Sequence, residues 1–164
     1  MRQHALPDRQ HDLAALAGFL TLCLAVGGLA GWTTSTTVDG WFRTLVQPSF
    51  TPPAWLFPPV WTVLYLLMAT AAWRIWRLPA SPGRRRALAL FGVQLFLNLI
   101  WSFLFFAFRS PPAGLADIAA LWLVILATLL AFGRLDRVAG LLLIPYLLWV
   151  SYAAALNVAT VWLN

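Results

Sequence analysis

The chain has 164 residues, of which 62% are hydrophobic and only 10% charged, with a mean hydropathy of +0.80. A soluble domain carries about 25% charged residues, so this composition excludes a water-soluble globule and places one domain mostly inside a bilayer. All eleven cations are arginine and all five anions aspartate, and the arginines fall at segment ends and in short turns, which fits membrane orientation rather than a nucleic-acid-binding face.

A helix crossing a hydrocarbon core of about 30 Å needs roughly 20 residues, and five segments qualify. After a polar tail over residues 1–12, Leu13–Trp32 makes the first span. It lacks an A-x-A-like cleavage site and reads as a retained helix. It ends in VGGLAGW, where Gly27 and Gly31 form a G-x-x-x-G that lets backbones approach, within the bundle or between copies. The lone Cys23 lies in this run, so neither an intrachain disulfide nor a cysteine metal site is available.

Between the first and second spans Asp39 is expected to cap a short helix through Val46, with Trp41, Phe42, Leu45 and Val46 on one side. Gln47-Pro48 stops it, because a residue before proline avoids the α region. The uncharged stretch QPSFTPPAWLFPPVW, Gln47 to Trp61, holds five prolines. Ser49 to Phe57 is expected to run extended as a stiff lid, pressing Phe50, Trp55 and Phe57 onto the mouth of the bundle. Pro58 and Pro59 then open the second span, Pro59–Leu78, on which Trp61, Tyr65 and Met68 share a face.

The turn PASPGRRR leads into the third span, Ala87–Phe108. Here Gln94, Asn98, Trp101 and Phe105 recur at helical spacing, and amides in hydrocarbon must find partners, so this stripe faces inward. Arg109 to Pro112 turns the chain into the fourth span, Ala113–Phe132. Asp117 near its start reads as a carboxylate favoured by the helix N-terminus, and Trp122 as packing. The fifth span, Val138–Leu163, contains Pro145, which removes the hydrogen bond to the Leu141 carbonyl and bends the helix. Tyr146, Trp149, Ala153 and Asn157 form a second aromatic and polar stripe. Trp32, Trp73, Trp76 and Trp162 lie near span ends and read as interfacial anchors.

With five spans the termini lie on opposite faces. Arg2, Arg9, Arg74, Arg77, Arg84, Arg85, Arg86, Arg134 and Arg137 collect on the N-terminal side, against Arg43 and Arg109 on the other. This asymmetry predicts a cytoplasmic N-terminus, an outward Gln47–Trp61 segment and a C-terminus on the opposite face. An outer-membrane or organellar location would rename the compartments without changing the sidedness.

No Asp, Glu, His or Arg is placed in the middle of a span, and His4 and His11 both lie in the tail. Acid–base pairs, Ser–His–acid triads, metal sites, axially ligated haem and proton relays therefore lack their residues. What remains is an aromatic interior in which Trp61, Trp101 and Trp149 stand beside amides. Two readings stay open: core packing, or a pocket for a large, planar, mostly apolar ligand with a few polar edges.

Several blocks resemble one known family. Gly27-Gly28, then Trp41-Phe42 with Leu45 and Pro48, then PPAWLFPPVWTVLYLLM, QLFLNLIWSFLFF and PYLLWVSYAAALN follow in order from about Gly27 to Asn157. Together they are similar to the TspO/MBR family, the tryptophan-rich sensory proteins related to the mitochondrial translocator protein. The resemblance implies an all-α bundle of five transmembrane helices, often a homodimer, that binds lipids and tetrapyrroles such as porphyrins without an obligatory cofactor, metal or nucleic acid. It implies a receptor or regulator linked to tetrapyrrole metabolism and stress, with facilitated porphyrin transport or light-dependent porphyrin degradation as alternatives. It places Trp61, Trp149, Asn98 and Ala153 in the pocket, the two tryptophans being the photo-oxidative pair if such chemistry occurs. With the stripes and lid, the candidate ligand-binding set is Trp41, Phe42, Phe57, Trp61, Tyr65, Asn98, Trp101, Tyr146, Trp149, Ala153 and Asn157. The chain departs from the family at Gln47, where lysine is usual, and at Pro58, where glycine is usual. The sterol pattern L/V-x₁₋₅-Y-x₁₋₅-K/R fails at the C-terminus, where Val158 and Trp162 stand in place of Tyr and Arg.

Overall fold

The structure, a computed structural model, describes residues 9–164. The expectations placed on Arg2, His4 and the rest of residues 1–8, and on the side chain of Arg9, lie outside the described residues. The elements run α1 (Arg9–Val38), α2 (Trp41–Thr44), a 3₁₀ turn (Ala54–Leu56), α3 (Phe57–Trp76), α4 (Pro82–Ser102), a π-helical segment (Phe103–Ala107), α5 (Pro111–Leu135), α6 (Arg137–Leu142) and α7 (Ile144–Leu163). Among the described residues five stretches are long and apolar enough to cross a membrane: Gln10–Val38, Ala54–Trp76, Pro82–Ala107, Pro111–Leu135 and Arg137–Leu163. The five-span all-α bundle expected from the sequence is the fold observed.

Helix starts follow a repeated local rule. Ser81 Oγ accepts from the Arg84 N–H (3.1 Å) ahead of Pro82, and Ser110 Oγ accepts from the Ala113 N–H (3.4 Å) ahead of Pro111 and Pro112. Proline lacks an N–H where a first helical turn has no use for one, and the hydroxyl satisfies a donor that does. Asp136 caps α6 by accepting from the Val138 (2.8 Å) and Ala139 (3.2 Å) N–H groups. α1 extends past the expected Trp32 to Val38, and along the added turns Thr33, Thr34, Ser35 and Thr36 satisfy their hydroxyls on carbonyls three or four residues back. Pro145 breaks the last span as expected. The interruption falls at Leu143, whose N–H bonds the Gly140 carbonyl at 3.1 Å in a tighter turn.

Three local expectations are corrected. Asp39 does not cap α2; Gly40 holds that position, and the Asp39 carboxylate pairs instead with Arg43 at 2.6 Å. α2 ends at Thr44 rather than Val46, with Leu45 already extended (ψ 144°). Ser49 to Phe57 is not extended throughout: Thr51 closes a turn on the Pro48 carbonyl, and Ala54–Leu56 winds into a 3₁₀ turn running straight into α3.

α4 packs along α5, α1 along α3, and α7 along α5, whereas α3 and α7 touch only briefly. Met68, Ile75, Leu121, Ile125, Phe132, Leu143, Tyr146 and Val150 form the fully buried centre. At the end remote from the lid, Arg74 bonds Asp136 (2.8–2.9 Å) and Arg77 bonds Asp12 (3.1 Å), which ties α3 to α6 and α1. Burial alone would lift the Asp136 carboxyl. The Ala139 N–H, the Arg74 guanidinium and the Val138 N–H outweigh it and hold the carboxyl below its usual range. A lowered carboxyl contributes stability that is present at neutral pH and lost as pH falls through that range.

The hairpin from α5 to α6 depends on two glycines. A Cβ on Gly140 would lie 2.7 Å from Gly133 Cα, 2.9 Å from Gly133 N and 3.2 Å from the Leu129 carbonyl, all backbone atoms that cannot swing away. Gly140→Ala is therefore expected to destabilise the bundle by about 1–3 kcal/mol. Gly92→Ala, with nothing within 4 Å, should be neutral or stabilising by about 0.5–1 kcal/mol. Thermal unfolding of the two variants in detergent checks the contrast.

Candidate functional site

The site is organised around one buried amide. Asn98 on α4 accepts from the Tyr65 hydroxyl of α3 (2.5 Å) and donates from Nδ2 to the Tyr146 hydroxyl of α7 (3.1 Å). Asn98, Tyr65 and Tyr146 are all buried, so three helices share one polar knot. Tyr65 fits there because Gly27 of α1 has no side chain: a Cβ on Gly27 would strike its ring at 2.5 Å. Gly31, the other half of the G-x-x-x-G, meets nothing within 4 Å. The close packing read at Gly27 is an approach of α1 to a side chain of α3.

An aromatic layer covers the knot. Trp61 lies against Tyr65 (5.6 Å, 31°) and edge-on to Tyr146 (6.3 Å). Phe57 meets Trp149 edge-on (5.8 Å), and Trp149 in turn meets Tyr152 (5.8 Å). Beside this layer a cleft of about 760 Å³ opens between α3 and α7, lined by Trp55, Pro59, Val63, Pro145, Leu148 and Trp149 among others. Its walls are almost wholly carbon and lie within membrane-spanning segments, so it opens toward lipid. Trp55, expected to press on the bundle, is 71% exposed and lines this opening.

The remaining candidates gather in a second cluster toward the lid. Trp101 Nε1 donates to Asn157 Oδ1 (3.2 Å), and Asn157 Nδ2 donates to the Pro111 carbonyl (2.9 Å). Trp101 stacks on Phe105 (5.2 Å, 25°), on which Trp41 and Phe42 of α2 also pack at 6.1 Å. The wide π turn carries Phe105 and Phe106, bringing both against Phe42. Thus Phe57, Trp61, Tyr65, Asn98, Tyr146 and Trp149 come together, while Trp41, Phe42, Trp101 and Asn157 pack around Phe105. Ala153 is half-buried against the core.

The lid is latched to α7. Tyr152 donates its hydroxyl to the Phe50 carbonyl (2.6 Å). Asn164 accepts from the Val46 N–H (2.9 Å) and donates to the Val46 carbonyl (3.3 Å). Tyr152 lies one position off the stripe of Tyr146, Trp149, Ala153 and Asn157, so helical spacing does not single it out. Asn164 carried no signal, since its partner is a backbone 118 residues away.

Three buried polar atoms have no partner among the described residues: Trp149 Nε1, Gln94 Oε1 and Asp117 Oδ2. Gln94 Nε2 reaches Met68 Sδ at 3.8 Å, a weak acceptor. Asp117 corrects the sequence reading twice. Ser110 caps α5, and Asp117 sits two turns in, 9% exposed, so a carboxyl does lie buried within a span.

Comparison with known proteins bears on this arrangement. The model of the TspO/MBR family matches residues 19–163. The chain belongs to the TspO/MBR family. It is 45% identical to the tryptophan-rich protein TspO of Chlorobaculum tepidum, over 93% of this chain and 98% of that one. It is 39% identical to the tryptophan-rich sensory protein of Cereibacter sphaeroides, covering 89% and 90%. Against the translocator protein of Sus scrofa the identity is 35%, covering 80% and 82%. Family membership and the five spans together make this TspO/MBR protein an integral, multi-pass membrane protein.

The knot has a testable energetic signature. Asn98→Leu strands two buried hydroxyls and should cost about 2–4 kcal/mol, since each unmet group costs about 1–3. Adding Tyr65→Phe and Tyr146→Phe to Asn98→Leu removes the stranded groups and should recover most of the loss. Denaturant unfolding of the reconstituted single and triple variants measures both; a triple variant no more stable than Asn98→Leu would refute the network.

Proposed function

We propose that this TspO/MBR protein is a membrane receptor for planar, mostly apolar ligands of the tetrapyrrole class, taken up beside the aromatic layer between α3 and α7. The observation that carries this reading is the aromatic layer Phe57, Trp61, Tyr146 and Trp149 closing over Asn98 next to an apolar cleft. A volume of about 760 Å³ falls within the roughly 300–1,000 Å³ of small-molecule pockets. Flat indole faces suit a conjugated ring. The partnerless N–H of Trp149, a residue lining the cleft, is the group a ligand's polar edge would complete. The name sensory protein, borne by a relative, fits a receptor whose lid reports occupancy.

Titration with protoporphyrin, a metal-free probe, should quench tryptophan emission saturably. Trp61→Ala with Trp149→Ala should weaken affinity by about tenfold or more, because stacking on an aromatic face contributes roughly 1–3 kcal/mol per ring. Unchanged affinity in the double variant would refute the site. The latch governs exchange. Tyr152→Phe removes one lid bond and Asn164→Ala two, each of about 1 kcal/mol, and stopped-flow fluorescence should show protoporphyrin release accelerated about fivefold in the first and more in the second.

A further inference from the structure

The end of the bundle remote from the lid carries arginines of two kinds. Arg74 and Arg77 are held by Asp136 and Asp12, and Arg77 also stacks on Trp73 at 4.6 Å. Arg84 donates to the Leu78 carbonyl (2.7 Å) and lies over Trp76 (5.9 Å). These three fasten helices. Arg85, Arg86, Arg134 and Arg137 are exposed and make no ion pair or hydrogen bond with any described residue.

The four lie at the ends of elements that meet at one corner. Arg85 and Arg86 ride the first turns of α4, Arg134 the last turn of α5, and Arg137 opens α6. α4 and α5 meet there, since a Cβ on Gly83 would lie 3.7 Å from Leu135 Cδ2. The carboxylate of this corner, Asp136, is already occupied by Arg74 and two backbone N–H groups. Four positive charges are thus left without a described counter-charge. Between them Leu135 (37%) and Val138 (46%) expose apolar surface, so the corner is a cationic rim around a greasy centre at the level where spans end.

We propose that this corner binds the headgroup of an anionic phospholipid, the two arginine pairs holding its phosphate and Leu135 and Val138 meeting the upper acyl chains. Guanidinium forks match phosphate oxygens. Basic residues beside transmembrane helices attract anionic headgroups, each cation contributing on its own. A zwitterionic headgroup brings its own cation into the rim and gains less, which gives the site its selectivity.

The test uses the full chain reconstituted into phosphatidylcholine vesicles containing a minor fraction of phosphatidylglycerol, then extracted gently and analysed for retained lipid by mass spectrometry. Phosphatidylglycerol should be enriched roughly three- to tenfold over its vesicle fraction, and the enrichment should fall as salt rises. R85Q/R86Q and R134Q/R137Q should each reduce it, and the quadruple variant should abolish it. R43Q/R109Q, at the lid end, should leave it unchanged. Because removing four arginines also alters insertion, each pair variant stands as a test alone. A second readout is the rise in thermal midpoint that phosphatidylglycerol gives the wild type, expected to shrink in both pair variants. No enrichment in the wild type, or an equal loss in R43Q/R109Q, overturns the proposal.

Discussion

Hydrocarbon supplies no water to complete a hydrogen bond, and an unmet polar group there costs several kcal/mol. That constraint turns the few polar side chains of this bundle into its coordinates. Between helices in lipid there is no hydrophobic drive to add to close packing, so polar contacts carry much of what fixes the register. Asn98 makes two of these contacts, because its two ends need Tyr65 and Tyr146 at once, and α3, α4 and α7 can satisfy it in few arrangements. Asn157 fixes α7 against α4 and α5 in the same way, through Trp101 and the Pro111 carbonyl. Hydroxyls without a distant partner, such as Thr128 and Thr160, fold back onto their own helix.

The same constraint explains how much could be read from the chain alone. Span number, the inward stripes of Gln94, Asn98 and Phe105, and the break near Pro145 follow from periodicity and backbone chemistry, which are local. The split of the aromatic residues into two clusters was not legible. It depends on which helix faces which, and on the π turn that carries Phe105 and Phe106 onto α2. Asp39 shows the limit of motif reasoning, for a capping residue with an arginine four positions on can pair with a side chain instead. Asp117 shows another: a carboxyl near the start of a helix reads as favoured by the dipole, yet Ser110 already caps that turn. The helix therefore begins earlier, and the acid falls inside.

The partnerless atoms are not scattered. Trp149 Nε1 and Gln94 Oε1 lie on the helices that carry the Asn98 knot, and Asp117 follows Gly114, whose absent side chain makes room for Phe105 and Asn157. A sequence that meets the membrane constraint almost everywhere breaks it at positions bordering the two aromatic clusters. Local violations of a rule otherwise obeyed tend to mark functional ground, because stability alone would favour leucine at each.

The two ends of the bundle are fastened by different chemistry. Away from the lid, Arg74–Asp136 is a charge-assisted bond between partly buried groups and Arg77–Asp12 joins an exposed guanidinium to a partly buried carboxylate, both crossing from helix to helix. At the lid end the fastenings are neutral bonds from exposed or half-exposed groups, Tyr152 to Phe50 and Asn164 to Val46, with rings packed beneath. Neutral exposed bonds contribute about 1 kcal/mol each, so the lid is the more weakly fastened of the two ends. The prolines of Gln47 to Trp61 then have a mechanical sense. A segment with few conformations of its own loses little entropy on ordering, so a few neutral bonds are enough to hold it against α7.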